Sequence, residues 1–564
     1  MFELRDTLQG AAEKILKEKF GLSTTVHFDV NFEDGRGDLA TSVALQLAKK
    51  VGSSPRAIAE ILVSALQDIQ GVEKAEIAGA GFVNVTLTTD AIIAGLKSVR
   101  MACVPMKKRT SKPIVVDYSA PNIAKPLGIH HILSTVIGQS IVNLYKHRGF
   151  ETVSVNHIGD WGTQFGKLAV AYQQWGTKPI EEHSIDELLS LYVRFHDELE
   201  KNAGLEDLGR SAFAALEKGD KKLRSFWKAV VDITMRSMDD LYTRLSVRFD
   251  RTMGESFYEL LMSPIIEEGK KKGVLQEGKE GALIVNFAEE LKMPPAIAVK
   301  ADGSTIYLTR DLATVRYRID EWHPEAILYV VDVAQQLHFR QLFETVRLLG
   351  WELPHLEHVI FGRMRFADKS MSTRKGNILK LDDVLDEAVK RASAIIVERG
   401  AKIQTDDPKE LAEMMGVGAV VYGVLSQNRR MDMVFDWDKM LSFEGNSAPY
   451  LQYTYARAKS VLRKAGSEGA DVQVAVLTAK ERHLLKLLFL FGDTVEAARR
   501  EHLPHTLTTY LYELCQAFNS FYASDEILGT EGMARDFRLY LTACTADILK
   551  TGASILTLRV PERM

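Results

Sequence analysis

Between residues 114 and 159 the chain reads strand, loop, helix, strand. IVVDY at 114–118 is a short β-branched run, ILSTVIGQSIVNLYKHRG at 132–149 has helical periodicity and stops at a glycine, and ETVSVNHIG at 151–159 is a second strand with its loop. A βαβ unit of this kind commits the sheet to parallel pairing and places its ligand at the carboxyl ends of the strands. AILYVVD at 326–332 and HVIFG at 358–362 are predicted as further strands of that sheet.

The pattern differs on either side. Residues 1–105 read as a small α+β unit: Leu4, Leu8, Ala11, Ala12, Ile15 and Leu16 recur at helical spacing, helices follow at 40–50 and 55–69, and VHFDVNF (26–32) and GFVNVTLT (81–88) alternate like strands. MKKRTSKP at 106–113 is basic, ends in proline and reads as a linker. The sheet domain then spans 113–405, with a charged helical insertion expected around 167–270. From 406 to 564 nearly every segment has helical periodicity. Three units suit 564 residues at about 150 per domain.

Charge and cysteine content narrow the environment. Against 75 Asp+Glu the chain has 71 Lys+Arg, so a polyanionic partner must be met by local basic surface. Cys103, Cys515 and Cys544 are too scattered for a metal cluster or a disulfide framework, which predicts a reducing cytoplasm and no metal site. The longest apolar run, LLKLLFLF at 484–491, is interrupted by a lysine, and no membrane association is expected.

Two loops carry candidate chemistry. YSAPNIAKPLGIHHILST (118–135) places His130 and His131 at a helix N-terminus, where unpaired N–H groups and the dipole favour phosphate, and Lys125 adds a cation. Two helix-capping histidines are the plainer alternative. FADKSMSTRKGNILKLDDVL (366–385) sets Lys369, Arg374 and Lys375 among Ser, Thr and Gly, a cationic loop suited to a triphosphate, or else a solvated basic turn. Tyr307 and Asp311, four apart, share a face if YLTRDLATVRYR is helical, while Arg310 beside Asp311 could form a surface ion pair.

In order, these segments resemble the class I aminoacyl-tRNA synthetases and, among them, the arginyl-tRNA synthetases. SAPNIAKPLGIHH stands where that family has its HIGH signature and SMSTRKGN where it has the KMSKS loop; NHIGDWGTQFG, GESF and YLTRDLA resemble blocks of the arginine enzymes. Residues 26–86 resemble their appended N-terminal domain, and SAPYLQYTYARAKSVLRK, FNSFY and VPERM their anticodon-binding domain. The resemblance implies a multidomain α/β protein: a Rossmann-like parallel-sheet catalytic domain, a small α+β N-terminal domain that touches tRNA, and an all-helical C-terminal anticodon-binding domain. It also implies ATP-dependent activation of L-arginine and transfer to the 3′ end of tRNA(Arg), with Mg²⁺ assisting, no tightly bound cofactor, and a monomer.

By the same resemblance His131, His130, Lys125, Lys369, Arg374 and Lys375 are the catalytic group, and Gly128, His131, Gly159, Asp160, Met371 and Ser372 bind ATP. Asn122 and Gln335 would hold the amino group of arginine, and Asp117, Glu255, Tyr307 and Asp311 its side chain; Tyr453, Arg457 and Lys459 would meet tRNA. A guanidinium is a planar fork of donors that carboxylates accept in pairs, so an acidic pocket separates arginine from lysine by geometry. Two departures stand out: the HIGH position reads Gly128-Ile129-His130-His131, and Ser370 precedes Met371 where lysine is usual. They motivate a competing expectation, a tRNA-binding paralogue without catalysis.

Overall fold

The computed structural model describes residues 2–33, 35–278, 281–366, 379–400, 403–470, 472 and 474–564. Helix α1 (Phe2–Phe20) opens the chain and buries Leu8, Ala12 and Leu16, every fourth residue along one face. It packs on the helix Pro55–Gln67 of a unit whose antiparallel sheet, of order β1-β2-β4-β3, is made of β1 (Asp29–Val30), β2 (Leu39–Thr41), β3 (Val72–Ala78) and β4 (Phe82–Leu87). Helices α2 (Val43–Val51) and α3 (Pro55–Gln67) lie between β2 and β3; α3 starts where the Ser54 hydroxyl accepts from Ala57 N–H and Pro55 supplies a pre-set φ. The 26–32 run gives a strand only at Asp29–Val30, and β3, with Glu73, Lys74 and Glu76 in it, lacks the apolar alternation that would have disclosed it. Helices α4 (Thr89–Ile93) and α5 (Leu96–Ala102) lead out of this unit.

The second sheet is wholly parallel. Its strands are β5 (Ile114–Asp117), β6 (Thr152–Asn156), β7 (Arg251–Thr252), β11 (Ala326–Tyr329) and β12 (His355–His358), in the order β12-β11-β5-β6-β7. β5 is buried at every position, as a central strand covered on both faces must be. Helix α6 (His131–His147) makes the first crossover. Between β6 and β7 come four helices, α7 (Thr163–Trp175), α8 (Ile185–Leu199), α9 (Gly204–Glu217) and α10 (Lys221–Arg244), the helical excursion expected from the sequence, which rejoins the sheet at Arg251. After α11 (Glu259–Lys271) a small antiparallel sheet of β8 (Gln276–Glu277), β9 (Leu283–Val285) and β10 (Ala296–Val299) precedes α12 (Tyr307–Trp322) and, beyond β11, α13 (Gln336–Leu348). The last strand lies three residues earlier than HVIFG, because His355–His358 is the stretch in register with Ala326–Tyr329; Phe361 keeps a bridge to Asp332.

Beyond β13 (Met364–Phe366) the chain is helical: α14 (Leu381–Arg399), α15 (Pro408–Leu425), then β14 (Met433–Phe435) paired with β13, α16 (Trp437–Met440), α17 (Ala448–Ala465), α18 (Ala479–Glu501), α19 (Pro504–Ser524) and α20 (Gly532–Ile555). Several polar joints tie the units together, among them Arg100–Asp547 and Arg244–Glu413. Asp38, 1% exposed, receives Arg482 at both oxygens and lies 3.1 Å from Lys486 Nζ, which docks the first unit on α18. At the far end of α6, Tyr145 Oη lies 2.8 Å from His502 Nε2 and Arg148 Nε donates to Glu496 at 2.8 Å. Among the described residues no helix is long and apolar enough to cross a membrane.

Candidate active site

Strand order reverses direction beside β5, so the loops after β5, β6, β7 and β11 open on one crevice, where open parallel sheets take their ligands. The loop after β5 holds three non-glycine residues in the left-handed region, Ser119 (φ 72°), Ala120 (φ 46°) and Ala124 (φ 66°). Each such conformation costs on the order of 1 kcal/mol and persists only where its surroundings over-determine it. Here they do: Ser119 N–H donates to Ser134 Oγ on α6 (2.9 Å), Ala120 N–H to Asn156 Oδ1 on β6 (3.2 Å), and Ala124 N–H to Thr234 Oγ1 on α10 (3.1 Å). Asn122 and Gly159 form a parallel bridge, with Gly159 N–H donating to Pro121 O at 2.9 Å. A Cβ at 159 would stand 2.3 Å from Asn122 Oδ1, so a larger residue there would turn the Asn122 side chain aside.

The histidines end the loop after β5. Gly128 bridges Lys380: Ile129 N–H donates to Leu379 O and Leu381 N–H to Leu127 O, both at 2.8 Å. The residues that follow the cationic 366–378 segment are thus stitched to the histidine loop, whereas Lys369, Met371, Ser372, Arg374 and Lys375 lie outside the described residues. His131 opens α6, and its Nδ1 lies 3.0 Å from Gly128 N and 3.1 Å from Gly128 O. Burial, and then the adjacent His130 ring 4.0 Å away, hold His131 down to about 4, so the ring is neutral near pH 7. Nδ1 is thus engaged by the Gly128 backbone, whose N–H serves one neutral tautomer of the ring and whose carbonyl serves the other. His130 is exposed and Lys125 Nζ sits 5.2 Å from the Tyr192 ring.

The acids divide into two groups. Asp117, at the end of β5, accepts from Arg318 Nη2 at 2.7 Å; the Arg318 side chain is 0% exposed and that of Asp117 7%. Asp117 therefore faces the interior beneath the crevice, paired with a guanidinium of the protein itself. Glu255, in a 3-10 turn (Glu255–Tyr258) after β7, accepts at Oε2 from Arg310 Nη1 at 2.9 Å, both side chains 15% exposed. Arg310 thus reaches across to Glu255 and not to its neighbour Asp311. Asp311 lies 2.5 Å from His338 Nε2. Burial, opposed by Arg310 and reinforced by Asp311 and Asp160, raises the Glu255 carboxyl to about 7. Tyr307 starts α12 and is 71% exposed; Asn122 and Gln335 are exposed at their strand ends. Asp160 accepts from Ser256 N (2.9 Å) and Oγ (2.6 Å), and a Cβ at Gly254 would fall 2.1 Å from its Oδ2, so this carboxylate shapes the turn that carries Glu255.

Sequence reasoning missed two of these groups, Arg318 and His338, and it set Arg310 beside Asp311 where the structure pairs it with Glu255. His338 had a signal, since it stands one turn after Gln335. The Asp117–Arg318 pair had none, because 201 residues separate its members.

On α17, Tyr453 and Arg457 face out together. The Arg457 guanidinium lies over the rings of Tyr453 (4.7 Å) and Tyr522 (5.0 Å) and donates to Asn519 Oδ1 at 2.5 Å. Lys459 turns to Glu562 at 3.7 Å, and Tyr455 is buried.

A crevice at the switch point of a parallel sheet, with histidines at a helix N-terminus and Leu379–Leu381 stitched beside them, is the setting of a class I aminoacyl-tRNA synthetase site. Residues 96–437 match the family described as tRNA synthetases class I (R), catalytic domain, residues 451–564 the DALR anticodon binding domain, and residues 3–87 the arginyl tRNA synthetase N terminal domain. The chain belongs to the arginyl-tRNA synthetase family. It is 37% identical to a protein of Fusobacterium nucleatum named arginine-tRNA ligase, over 100% of this chain and 99% of the relative, and 40% identical to one of the same name from Alkaliphilus metalliredigens, over 94% of each. Its fold is similar to the arginyl-tRNA synthetase of Thermus thermophilus, with a TM-score of 0.84 and 25% identity over the whole of both chains.

Proposed function

We infer that the chain is an arginine-tRNA ligase, which activates L-arginine with ATP and transfers the arginyl group to tRNA(Arg). The convergence of the strand-end loops on one crevice, with acids on its α12 side and histidines on its α6 side, carries this reading. ATP lies over Gly159 and the His131 end of α6, where helix N–H groups and a neutral imidazole meet the phosphates as the arginine carboxylate attacks the α-phosphorus. Lys125 and the 369–375 loop neutralise the leaving pyrophosphate, and Asp160, beside Gly159, holds the turn that carries Glu255 on the arginine side. Mg²⁺ would arrive with ATP and would supply further neutralisation of phosphate charge; among the described residues no three His, Cys, Asp or Glu side chains gather as a metal site of the protein's own.

Arginine lies with its amino group toward Asn122 and Gln335 and its guanidinium toward Glu255, Asp311 and Tyr307. Asp117 serves that pocket from below, through Arg318. Anticodon bases stack at Tyr453 and Arg457, with Lys459 at the margin. The units are 1–105, 113–405 and 406–564, and the protein works as a cytoplasmic monomer without membrane attachment. Arginine-dependent ATP–pyrophosphate exchange, with and without tRNA(Arg), tests the whole reading. Exchange that depends on arginine is expected, and its appearance only with tRNA assigns the tRNA a part in activation. No exchange in either arm, with tRNA still bound, would replace the ligase by the non-catalytic alternative raised by Gly128 and Ser370.

A further inference from the structure

The position next to Asp311 is itself an arginine, and its guanidinium enters the acidic pocket from the protein side. Arg310 Nη1 bonds to Glu255 Oε2 at 2.9 Å, both groups are largely buried, and Arg310 Nε has no hydrogen-bond partner among the described residues. An exposed pair of this kind would contribute little, but here the bond is withdrawn from solvent and occupies one oxygen of the carboxylate that the substrate needs. The other charged groups facing this pair are Asp160 from the loop after β6, Asp311 from α12 with His338 of α13 bonded to it, and Glu259 at the start of α11. Four acids thus crowd one end of the crevice, and Arg310 is the protein cation bonded to Glu255.

We propose that Arg310 is a positioning and specificity residue of the arginine site, holding one oxygen of Glu255 so that the other accepts from the substrate guanidinium. This rests on the assignment of Glu255 to the substrate pocket. The chemistry gives the specificity. An ionised Glu255 accepts from a guanidinium, whereas a protonated one can donate to the urea oxygen of citrulline, the neutral analogue of the same shape. Crowded by Asp311 and Asp160 and removed from water, Glu255 would hold its proton without a bonded cation. Arg310 therefore sets which of the two side chains the pocket prefers.

The test is the pH dependence of the arginine KM in the aminoacylation reaction for wild type, Arg310→Met, Arg310→Lys and Glu255→Gln. In the wild type the KM should fall as pH rises through about 7, as Glu255 ionises. Arg310→Met should raise the KM at pH 7 by about tenfold or more, move the fall to higher pH, and narrow the preference for arginine over citrulline, with the KM for ATP unchanged. Arg310→Lys, which restores a cation, should return the profile toward wild type. A folded Arg310→Met enzyme with an unshifted profile would overturn the proposal, as would an Arg310→Lys enzyme that behaves like Arg310→Met. Should Arg310→Met fail to fold, Arg310→Lys alone decides, because loss of planarity with charge retained should alter the KM and leave the midpoint in place. Glu255→Gln separates the layers: an unchanged arginine KM in that variant refutes the pocket assignment itself, while a raised, pH-independent KM upholds it whatever Arg310 does.

Discussion

Asp117→Ala is the substitution whose outcome is fixed most tightly by the structure. The sequence places Asp117 among the arginine ligands; the coordinates give its carboxylate to Arg318, with 0% of that guanidinium exposed. Removing one member of a buried pair leaves the other charged and unsolvated, at a cost of about 3–5 kcal/mol. Arg318 Nε and Nη1 already lack hydrogen-bond partners among the described residues, so little is left to receive the stranded charge. At about 2–4 °C per kcal/mol for a domain of this size, the catalytic unit should melt roughly 6–20 °C lower. Replacing both partners, as in Asp117→Leu with Arg318→Met, should recover most of that loss, since a buried pair exchanged for apolar groups is often close to neutral. The assay is thermal unfolding of Asp117→Ala and of the double variant beside wild type, with arginine KM measured at a temperature where all are folded. A single variant that melts like wild type while its arginine KM rises at least tenfold would refute the reasoning and make Asp117 a ligand of the substrate after all.

Three further outcomes are expected. His131→Ala should lower the rate of arginine activation by about 10²–10³ if its ring meets the phosphates, and the wild-type kcat should show no titration near 6.5, because the ring is held neutral down to about 4; single-turnover rates across pH check both. Asp38→Ala should cost about 3–5 kcal/mol of docking between the first unit and α18, so limited proteolysis should release residues 1–105 faster, whereas unchanged cleavage would place the docking energy elsewhere. Burial raises the Glu357 carboxyl, but His502 and His355 together outweigh it and bring it down to about 2. Its folded value lies below its unfolded one, so the stability it contributes is full above about 4.5 and is lost as pH falls toward 2. Melting curves of Glu357→Gln should accordingly fall below wild type at pH 7 and converge with it in acid.

What the sequence disclosed and what it hid have physical causes. Helix α6 and strand β5 were legible because their periodicity and their bounding glycine and proline are local properties. The last strand was displaced by three residues because register is set by the neighbouring strand and not by the β-branched run at Val359 and Ile360. Strands β8 to β10 passed unnoticed, being two to four residues long, too short for any alternation to register. At the site, the family resemblance singled out His131, Asn122 and Gly159, which lie at the loops after β5 and β6, but nothing in the sequence announced the division of the acids. Which carboxylate faces the ligand and which faces the core depends on Arg318 and Arg310, and both reach it through the tertiary fold.

Helix α6 has one end in the crevice and the other in the C-terminal helices. His131 stands at its first residue; Tyr145 and Arg148, at its last turn and just beyond it, are fastened to His502 and Glu496 of the α18 end. Seventeen residues at 1.5 Å each make a rod of about 26 Å, and a helix buried along its length does not stretch or fold in between. Any shift of α18 against the sheet, whatever drives it, is therefore delivered undiminished to the imidazole that meets ATP. The shaft that couples the two ends of the molecule is a single helix, and its polar fastenings include the hydrogen bond to His502, the ion pair to Glu496 and the Asn143 amide donating to Ile555 O at 3.1 Å.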